Sequence, residues 1–199
     1  MTYQVHPATA DRWPDLEALF GPQGAYSGCW CMHWRLMRPQ FKELGEEGRK
    51  AALRHLTHTD PAPGVLAYQD GAPVGWCSIG PREAFAALEA SRTLKRVDDQ
   101  PVWSIVCYYV AETARRSGVM AALLRGAVEY ARQQGAGIVE GYPIDLPTLL
   151  SKGKKLTGFL SFVGIASAYR EAGFVEVGRA SETQLIMRCI IDQLELQRD

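Results

Sequence analysis

The sequence predicts an α/β fold in which helices flank a mixed, mostly antiparallel β-sheet. An apolar run from Val102 to Val110 is followed by apolar residues at helical spacing up to Ala131, which indicates a strand, a turn and a helix. Asp70-Gly71 separates two further apolar segments and is a strong β-hairpin signal. Residues 174–190 read as a second, closing hairpin. Together these observations predict a sheet covered by helices.

The N-terminal part predicts a short strand at residues 3–5 and two helical regions. The first spans residues 11–20, and its apolar positions recur at helical spacing: Trp13, Leu16, Leu19 and Phe20. A loop is predicted over residues 21–28, followed by a second helical region at about 39–55. Four apolar residues of that region are expected to face the core: Leu44, Ala51, Ala52 and Leu56.

The remaining elements alternate between strands and helices. Hairpin strands are predicted at residues 64–69 and 73–79, and a short helix at 82–90 precedes a charged connection at 93–101. Another strand is predicted at 138–142, and residues 145–161 are predicted to be an elaborated, mobile loop. The last helix, at 163–172, is expected to end at Gly173 in a left-handed cap, and the tail from Asp192 to be solvated.

Composition indicates one globular domain over residues 1–199 with a substantial core, because 47% of the 199 residues are hydrophobic. Lys plus Arg and Asp plus Glu number 22 each, so the charge balance argues against a nucleic-acid partner. No run of eighteen apolar residues indicates a membrane span. The odd, scattered set of five cysteines predicts a reducing cytoplasm. We expect a monomer or a homodimer.

The segment from Arg115 to Gly118 is the strongest functional signal. It lies where strand periodicity changes to helix periodicity, so we expect the helix to open on Arg-Arg-Ser-Gly. A helix start presents unpaired backbone N–H groups and the positive end of the helix dipole. Together with two guanidinium groups, these features predict a pyrophosphate site.

Two motifs resemble the GNAT N-acetyltransferase family. Val110-x4-Arg115-x2-Gly118-x-Met120 is similar to its acyl-CoA-binding motif, and Tyr169-x3-Gly173-Phe174 is similar to the Tyr-x3-Gly-Phe of its last helix. With their flanking strands they cover about residues 64–188, leaving about 11–56 for the acceptor-side helices and loop. The resemblance implies a sheet splayed at two parallel strands. Met120 departs from the usual Gly or Ala, and Phe162 from a common Asn.

The resemblance further implies an acetyl-CoA donor and a small-molecule amine acceptor that react directly in a ternary complex. The implied donor-binding residues are Tyr108, Tyr109, Val110, Arg115, Arg116, Ser117, Gly118, Val119, Met120 and Ala121. Tyr169 is implied as the general acid for the departing thiolate, although a core-packing role is the alternative. No general base is identified. The possibilities are Glu83, Glu112, Glu140 and His33, or a chain of waters.

The segment Cys29-Trp-Cys-Met-His-Trp34 concentrates uncommon residues and resembles one in a bacterial GNAT subgroup of unassigned substrate. If extended, it would place Cys29, Cys31 and His33 on one face. Zinc binding and a nucleophilic Cys are alternatives, but the ligand count is low, so no metal site is predicted. We expect packing that also forms the acceptor pocket. The predicted acceptor-binding residues are Trp30, Cys31, His33 and Trp34.

Two alternatives to acetyl transfer remain. Met120, Phe162 and the Lys152-Gly-Lys-Lys155 cluster are compatible with a larger acyl-CoA or an aminoacyl-tRNA donor, although zero net charge argues against tRNA. The central strand contains no carboxylate that would serve as a base, which is compatible with a non-catalytic CoA-binding module.

Overall fold

Seven β-strands form one mixed sheet in the computed structural model, which describes residues 2–195. The strands are β1 (Gln4–Pro7), β2 (Gly64–Gln69), β3 (Ala72–Pro81), β4 (Trp103–Val110), β5 (Ile138–Gly141), β6 (Val175–Ser181) and β7 (Gln184–Ile190). The α-helices are α1 (Trp13–Phe20), α2 (Arg38–Glu43), α3 (Gly45–Leu56), α4 (Ala86–Glu89), α5 (Val119–Gln133), α6 (Leu146–Ser151), α7 (Ala166–Glu171) and α8 (Ile191–Glu195).

The strand order is β1-β2-β3-β4-β5-β7-β6, and every neighbouring pair is antiparallel except β4 and β5. The predicted hairpins are both present, as β2–β3 and β6–β7. Asp70 and Gly71 have φ of +50° and +80°, the two left-handed positions that a tight hairpin turn requires. The predicted α/β class with a mostly antiparallel sheet is therefore confirmed.

The parallel strands β4 and β5 separate, as predicted. They pair only between residues 103–105 and 139–141, while β4 continues to Val110 without a β5 partner. The pairing of β4 with β3 also shifts, because Ser78 lies opposite Cys107 whereas Ile79 lies opposite Ile105. Val106 is thus an extra residue, a β-bulge at the point where the two strands begin to diverge. Within residues 2–195, no strand pairs with the second half of β4 along this edge.

Hydrophobic clusters cover both faces of the sheet. On one face, α5 packs Leu123 and Ala127 against Val65 and Ile105. On the other, α1 and α3 pack against Leu66 and Trp76, and the predicted core positions of α1 are all buried: Trp13, Leu16, Leu19 and Phe20. The separated end of β4 therefore lies between two helical layers.

The predicted second helical region is two helices, and the residues that it buries differ from those predicted. Gly45 has a φ of +60°, which breaks the region after α2 and resets the inward-facing positions. Leu44 and Ala51 are exposed, Ala52 and Leu56 are partly buried, and Leu53 is the buried residue of α3.

Two other boundaries differ from the sequence prediction. The motif helix begins at Val119 rather than at Arg115, because Arg116 and Gly118 adopt left-handed φ values of +62° and +93°. The predicted loop at 145–161 contains helix α6, which is anchored by buried Leu149 against Ile144 and Val163. The predicted solvated tail falls partly outside the described residues.

No helix within residues 2–195 is long and apolar enough to cross a membrane.

Candidate active site

The start of α5 presents unpaired backbone amides next to the free end of β4. Ala122 donates the first bond of this helix, to the Gly118 carbonyl at 3.1 Å. The three preceding amides, of residues 119–121, have no earlier helical carbonyl to bond. A Cβ built on Gly118 would meet no described atom within 4 Å, so the space beside this residue is open.

Two guanidinium groups add positive charge to this helix start. Both Arg115 and Arg116 are exposed, and Arg115 lies 3.4 Å from the carboxylate of Glu112. The Ser117 hydroxyl donates to the Ala114 carbonyl at 2.6 Å, and Tyr3 in turn donates to Ser117. Ser117 therefore offers a ligand its backbone rather than its hydroxyl. Tyr3 holds this loop in place, a role that sequence reasoning missed.

Met120, which departs from the family motif, packs against the hydrophobic cluster beneath α5 and is partly buried. Its neighbour Val119 is buried in the same cluster. The Met120 side chain thus contributes to the core, while the amide at this position belongs to the unpaired helix start.

Tyr169 of α7 lies where β4 and β5 begin to separate. Its hydroxyl accepts a hydrogen bond of 3.1 Å from the Tyr108 hydroxyl on β4. A Cβ built on Gly141 of β5 would lie 2.7 Å from the same Tyr169 oxygen, so only glycine leaves room for this ring. Burial raises the pKa of Tyr169 well above its ordinary value, so the hydroxyl remains protonated at neutral pH.

The Gly173-Phe174 motif explains why Tyr169 is held so firmly. Gly173 has a φ of +86°, and the Phe174 amide bonds back to the Tyr169 carbonyl at 3.0 Å. This is the Schellman arrangement, and the Phe174 ring packs against the Tyr169 ring with centroids 5.0 Å apart. The predicted left-handed cap is confirmed, and it fixes the tyrosine side chain.

A cleft that is partly open to solvent lies beside the free end of β4. Of the four predicted acceptor-binding residues, three line it: Cys31, His33 and Trp34. The other lining residues are Ala25, Tyr26, Cys29, Cys107, Tyr109 and Phe162. Cys107 and Tyr109 flank Tyr108, so the cleft adjoins the unpaired stretch of β4.

Trp30 lies away from the cleft. The 29–34 segment is not extended, because Trp30 and Cys31 have φ of +48° and +53°. This turn buries Trp30, which stacks on Trp13 with ring centroids 5.9 Å apart. Trp30 therefore supports the cleft from behind, whereas Cys31 and its neighbours form the wall.

Two of the three thiols that line the cleft, those of Cys31 and Cys107, are in contact. The Cys31 sulfur lies 3.4 Å from that of Cys107 and accepts a bond of 3.1 Å from the Trp76 indole. The Cys107 thiol, followed by burial, raises the pKa of Cys31, and burial raises that of Cys29 to about 11. Among the described residues, no cluster of His, Cys, Asp and Glu is arranged to hold a metal ion.

The four candidate bases lie in different places. Glu140 is buried rather than at the surface, held between Arg82 at 3.0 Å and Arg188 at 2.8 Å. Glu83 pairs with Arg96, and Glu112 with Arg115. Of the four, His33 is the one that lines the cleft.

Comparisons with known proteins agree with this geometry. The family model described as "Acetyltransferase (GNAT) family" matches residues 30–141, more than half of the chain. No curated protein matches the sequence significantly.

Among solved structures, the aminoglycoside acetyltransferase AAC(6')-Ib in complex with coenzyme A and kanamycin is similar over 100% of both chains (TM-score 0.55, 16% identity). The Thermoplasma acidophilum PaiA N-acetyltransferase with coenzyme A has a TM-score of 0.52 and 10% identity over 96% of this chain and 99% of its own. Salmonella typhimurium YncA with its cofactor acetyl-CoA has a TM-score of 0.50 and 13% identity over 97% and 96%. The family match, the splayed sheet and the amide-lined helix start lead to one conclusion: this chain belongs to the GNAT family of acetyltransferases.

Proposed function

We propose that this GNAT protein transfers an acetyl group from acetyl-CoA to a primary amine of a small molecule, by direct attack within a ternary complex. The observation that carries the proposal is the open, amide-lined start of α5 beside the unpaired half of β4. The structures of similar fold from Thermoplasma acidophilum and Salmonella typhimurium hold coenzyme A and acetyl-CoA. Acetyl-CoA supplies an activated acyl group as a thioester.

The helix start fits a pyrophosphate. The amides of residues 116–121 are the proposed cradle, and the exposed guanidinium groups of Arg115 and Arg116 complement negative charge. The backbone of Tyr108 and Val110 is free on the β5 side, so it is available to pair with the amides of the pantetheine arm. A backbone N–H of this stretch would polarise the thioester carbonyl.

Tyr169 is proposed as the general acid. The nitrogen of an amine held in the cleft attacks the carbonyl carbon, so that the C–N bond forms and the C–S bond breaks. Tyr169 donates its proton to the departing sulfur, and its position between Tyr108 and Gly141 supports this role. The proton lost by the amine passes to His33, the imidazole that lines the cleft, or to solvent.

Neither departure from the family motif supports a different donor. Met120 packs into the core, and Phe162 lines the cleft with its ring 5.1 Å from that of Tyr26. Both positions are compatible with an acetyl donor.

Calorimetric titration with acetyl-CoA, free CoA and tRNA tests the donor. We expect both thioester and thiol forms to bind with dissociation constants of about 1–100 μM, and tRNA not to bind. Mass spectrometry of an amine mixture incubated with acetyl-CoA should show a gain of one acetyl group. CoA binding without any acetylated product would favour the non-catalytic module, and absence of CoA binding would refute the donor assignment.

A further inference from the structure

The wall of the cleft is mostly apolar, and none of the described residues that line it carries a carboxylate. Its lining residues are aromatic rings, three cysteines, an alanine and one histidine. The pKa values of Cys29 and Cys31 are raised, so these thiols are neutral at physiological pH. The cleft therefore offers dispersion and ring contacts, and it lacks an anion that would balance an ammonium group.

This composition discriminates between amine classes. Polyamines and aminoglycosides carry several ammonium groups. Burial of each ammonium group is unfavourable unless a carboxylate or an equivalent acceptor replaces its hydrating water. An amine on an aromatic or aliphatic group gains from burial of its apolar part. Its one ammonium group can contact the faces of the aromatic rings.

Two segments that are distant in the sequence close the cleft around such a group. Tyr26, from the loop after α1, faces Phe162, from the short 3-10 helix at 158–162, with ring centroids 5.1 Å apart. Trp34 forms a further part of the wall. Planar rings on several sides favour a flat apolar ligand.

We infer that the acceptor is a small primary amine attached to an aromatic or similarly apolar group, with a single positive charge, and that Tyr26 and Phe162 select it. That this amine is acetylated rests on the proposed function, whereas the class of ligand is argued from the lining of the cleft alone. A polyamine or aminoglycoside acceptor is thereby disfavoured, although the similar enzyme AAC(6')-Ib was solved with kanamycin.

Binding measurements test the ligand class apart from turnover. The protein, with and without saturating CoA, is titrated calorimetrically with 2-phenylethylamine, spermidine and kanamycin. We expect 2-phenylethylamine to bind at least about tenfold more tightly than either polycation. Phe162→Ala should weaken that binding about threefold to tenfold with little change for spermidine. Equal or tighter binding of a polycation to the unmodified protein would overturn the inference.

Position 25 allows a matched pair of variants that adds a carboxylate to the wall. Ala25 lines the cleft with a φ of +67°, a conformation that Asp and Asn adopt more readily than other non-glycine residues. Ala25→Asp should tighten spermidine binding about tenfold relative to Ala25→Asn, because only the former adds charge. Identical spermidine affinities in the two variants would contradict the claim that a missing anion sets the selectivity.

Turnover separates this inference from the proposed function. If 2-phenylethylamine binds preferentially but no amine is acetylated, the proposed acetyl transfer fails and the ligand class stands. If polycations are acetylated at least as efficiently as 2-phenylethylamine, the ligand class fails and the acetyl transfer stands.

Discussion

Replacement of Tyr169 by phenylalanine removes one oxygen and leaves the ring in place. That ring packs against Tyr108 and Phe174 and fills the space above Gly141, so the variant retains its apolar contacts. What disappears is the proposed proton donor, together with the acceptor of the 3.1 Å bond from Tyr108.

Two magnitudes follow from this geometry. Removal of a positioned acid typically lowers kcat by about 100-fold to 10,000-fold. Leaving the buried Tyr108 hydroxyl without its acceptor lowers the free energy of unfolding by about 1–3 kcal/mol. CoA affinity should be nearly unchanged, since the substitution leaves the backbone amides at the start of α5 in place.

Tyr108→Phe is the matched control. It breaks the same hydrogen bond and removes the same type of oxygen, but it keeps the Tyr169 hydroxyl. Urea denaturation should show similar losses for the two variants, whereas the loss of kcat should be far larger for Tyr169→Phe. Equal effects on kcat, or a Tyr169→Phe effect below about threefold with chemistry rate-limiting, would remove Tyr169 from the mechanism.

The pH profile provides an independent check. Because the folded pKa of Tyr169 is raised, the group holds its proton through and beyond its ordinary value of about 10. The acid form is therefore present across the neutral and mildly alkaline range. We expect kcat not to fall between about pH 7 and pH 10, and a decline there that disappears in Tyr169→Phe would refute the pKa argument.

Three further predictions concern the donor site, the cleft and the core. Gly118→Asp should weaken CoA binding more than about 100-fold, because a carboxylate in the open space before the α5 amides would repel the phosphates. The protein should carry no stoichiometric zinc by elemental analysis and form no acetyl adduct by intact mass after incubation with acetyl-CoA, because raised pKa values keep Cys29 and Cys31 protonated. Glu140→Gln should lower the free energy of unfolding by about 1–3 kcal/mol, because it removes the carboxylate shared by the buried guanidinium groups of Arg82 and Arg188, which keep Glu89 and Asp98 as partners.

Matched variants or contrary outcomes test the predictions for Gly118, the cleft thiols and Glu140. Gly118→Asn has the same shape and backbone preference without the charge, and CoA affinity as low as that of Gly118→Asp would point to distortion of the loop. One bound zinc per chain, or an acetyl adduct absent from Cys31→Ser, would contradict the packing role of the thiols. Glu129→Gln removes an exposed partner of Arg132 and should cost less than about 1 kcal/mol, so an equal loss at Glu140 would refute the buried-pair argument.

Local signals in the sequence predicted several elements of the fold. Asp70-Gly71 specified its hairpin because both residues tolerate the left-handed conformation that the turn requires. Gly173 ended α7 for the same reason, and the spacing of Tyr169 to Phe174 is the spacing of a Schellman cap. The prediction was wrong at Gly45. The spacing of apolar residues predicted one continuous helical region, but the left-handed conformation of Gly45 divides it into two helices.

The start of α5 shows the limit of periodicity. Apolar spacing located the helix, but its first residue depended on left-handed conformations at Arg116 and Gly118. Arginine rarely adopts a left-handed conformation, so residue type did not predict one at Arg116. Tyr3, near the start of the chain, holds the adjoining loop by hydrogen bonds to Ser117. Interactions of this kind become visible only when the chain is folded.

The sequence by itself determined the fold class, the order of the strands, the place of the motif helix after β4 and the left-handed cap that follows Tyr169, because each depends on neighbours within a few residues. Only the tertiary structure decided which of the conspicuous Cys and Trp residues face the cleft and that Glu140 is a buried ion-pair partner. It also decided that Tyr26 meets Phe162. These outcomes depend on segments separated by tens of residues, whose approach is set by packing on the shared sheet rather than by local sequence preference.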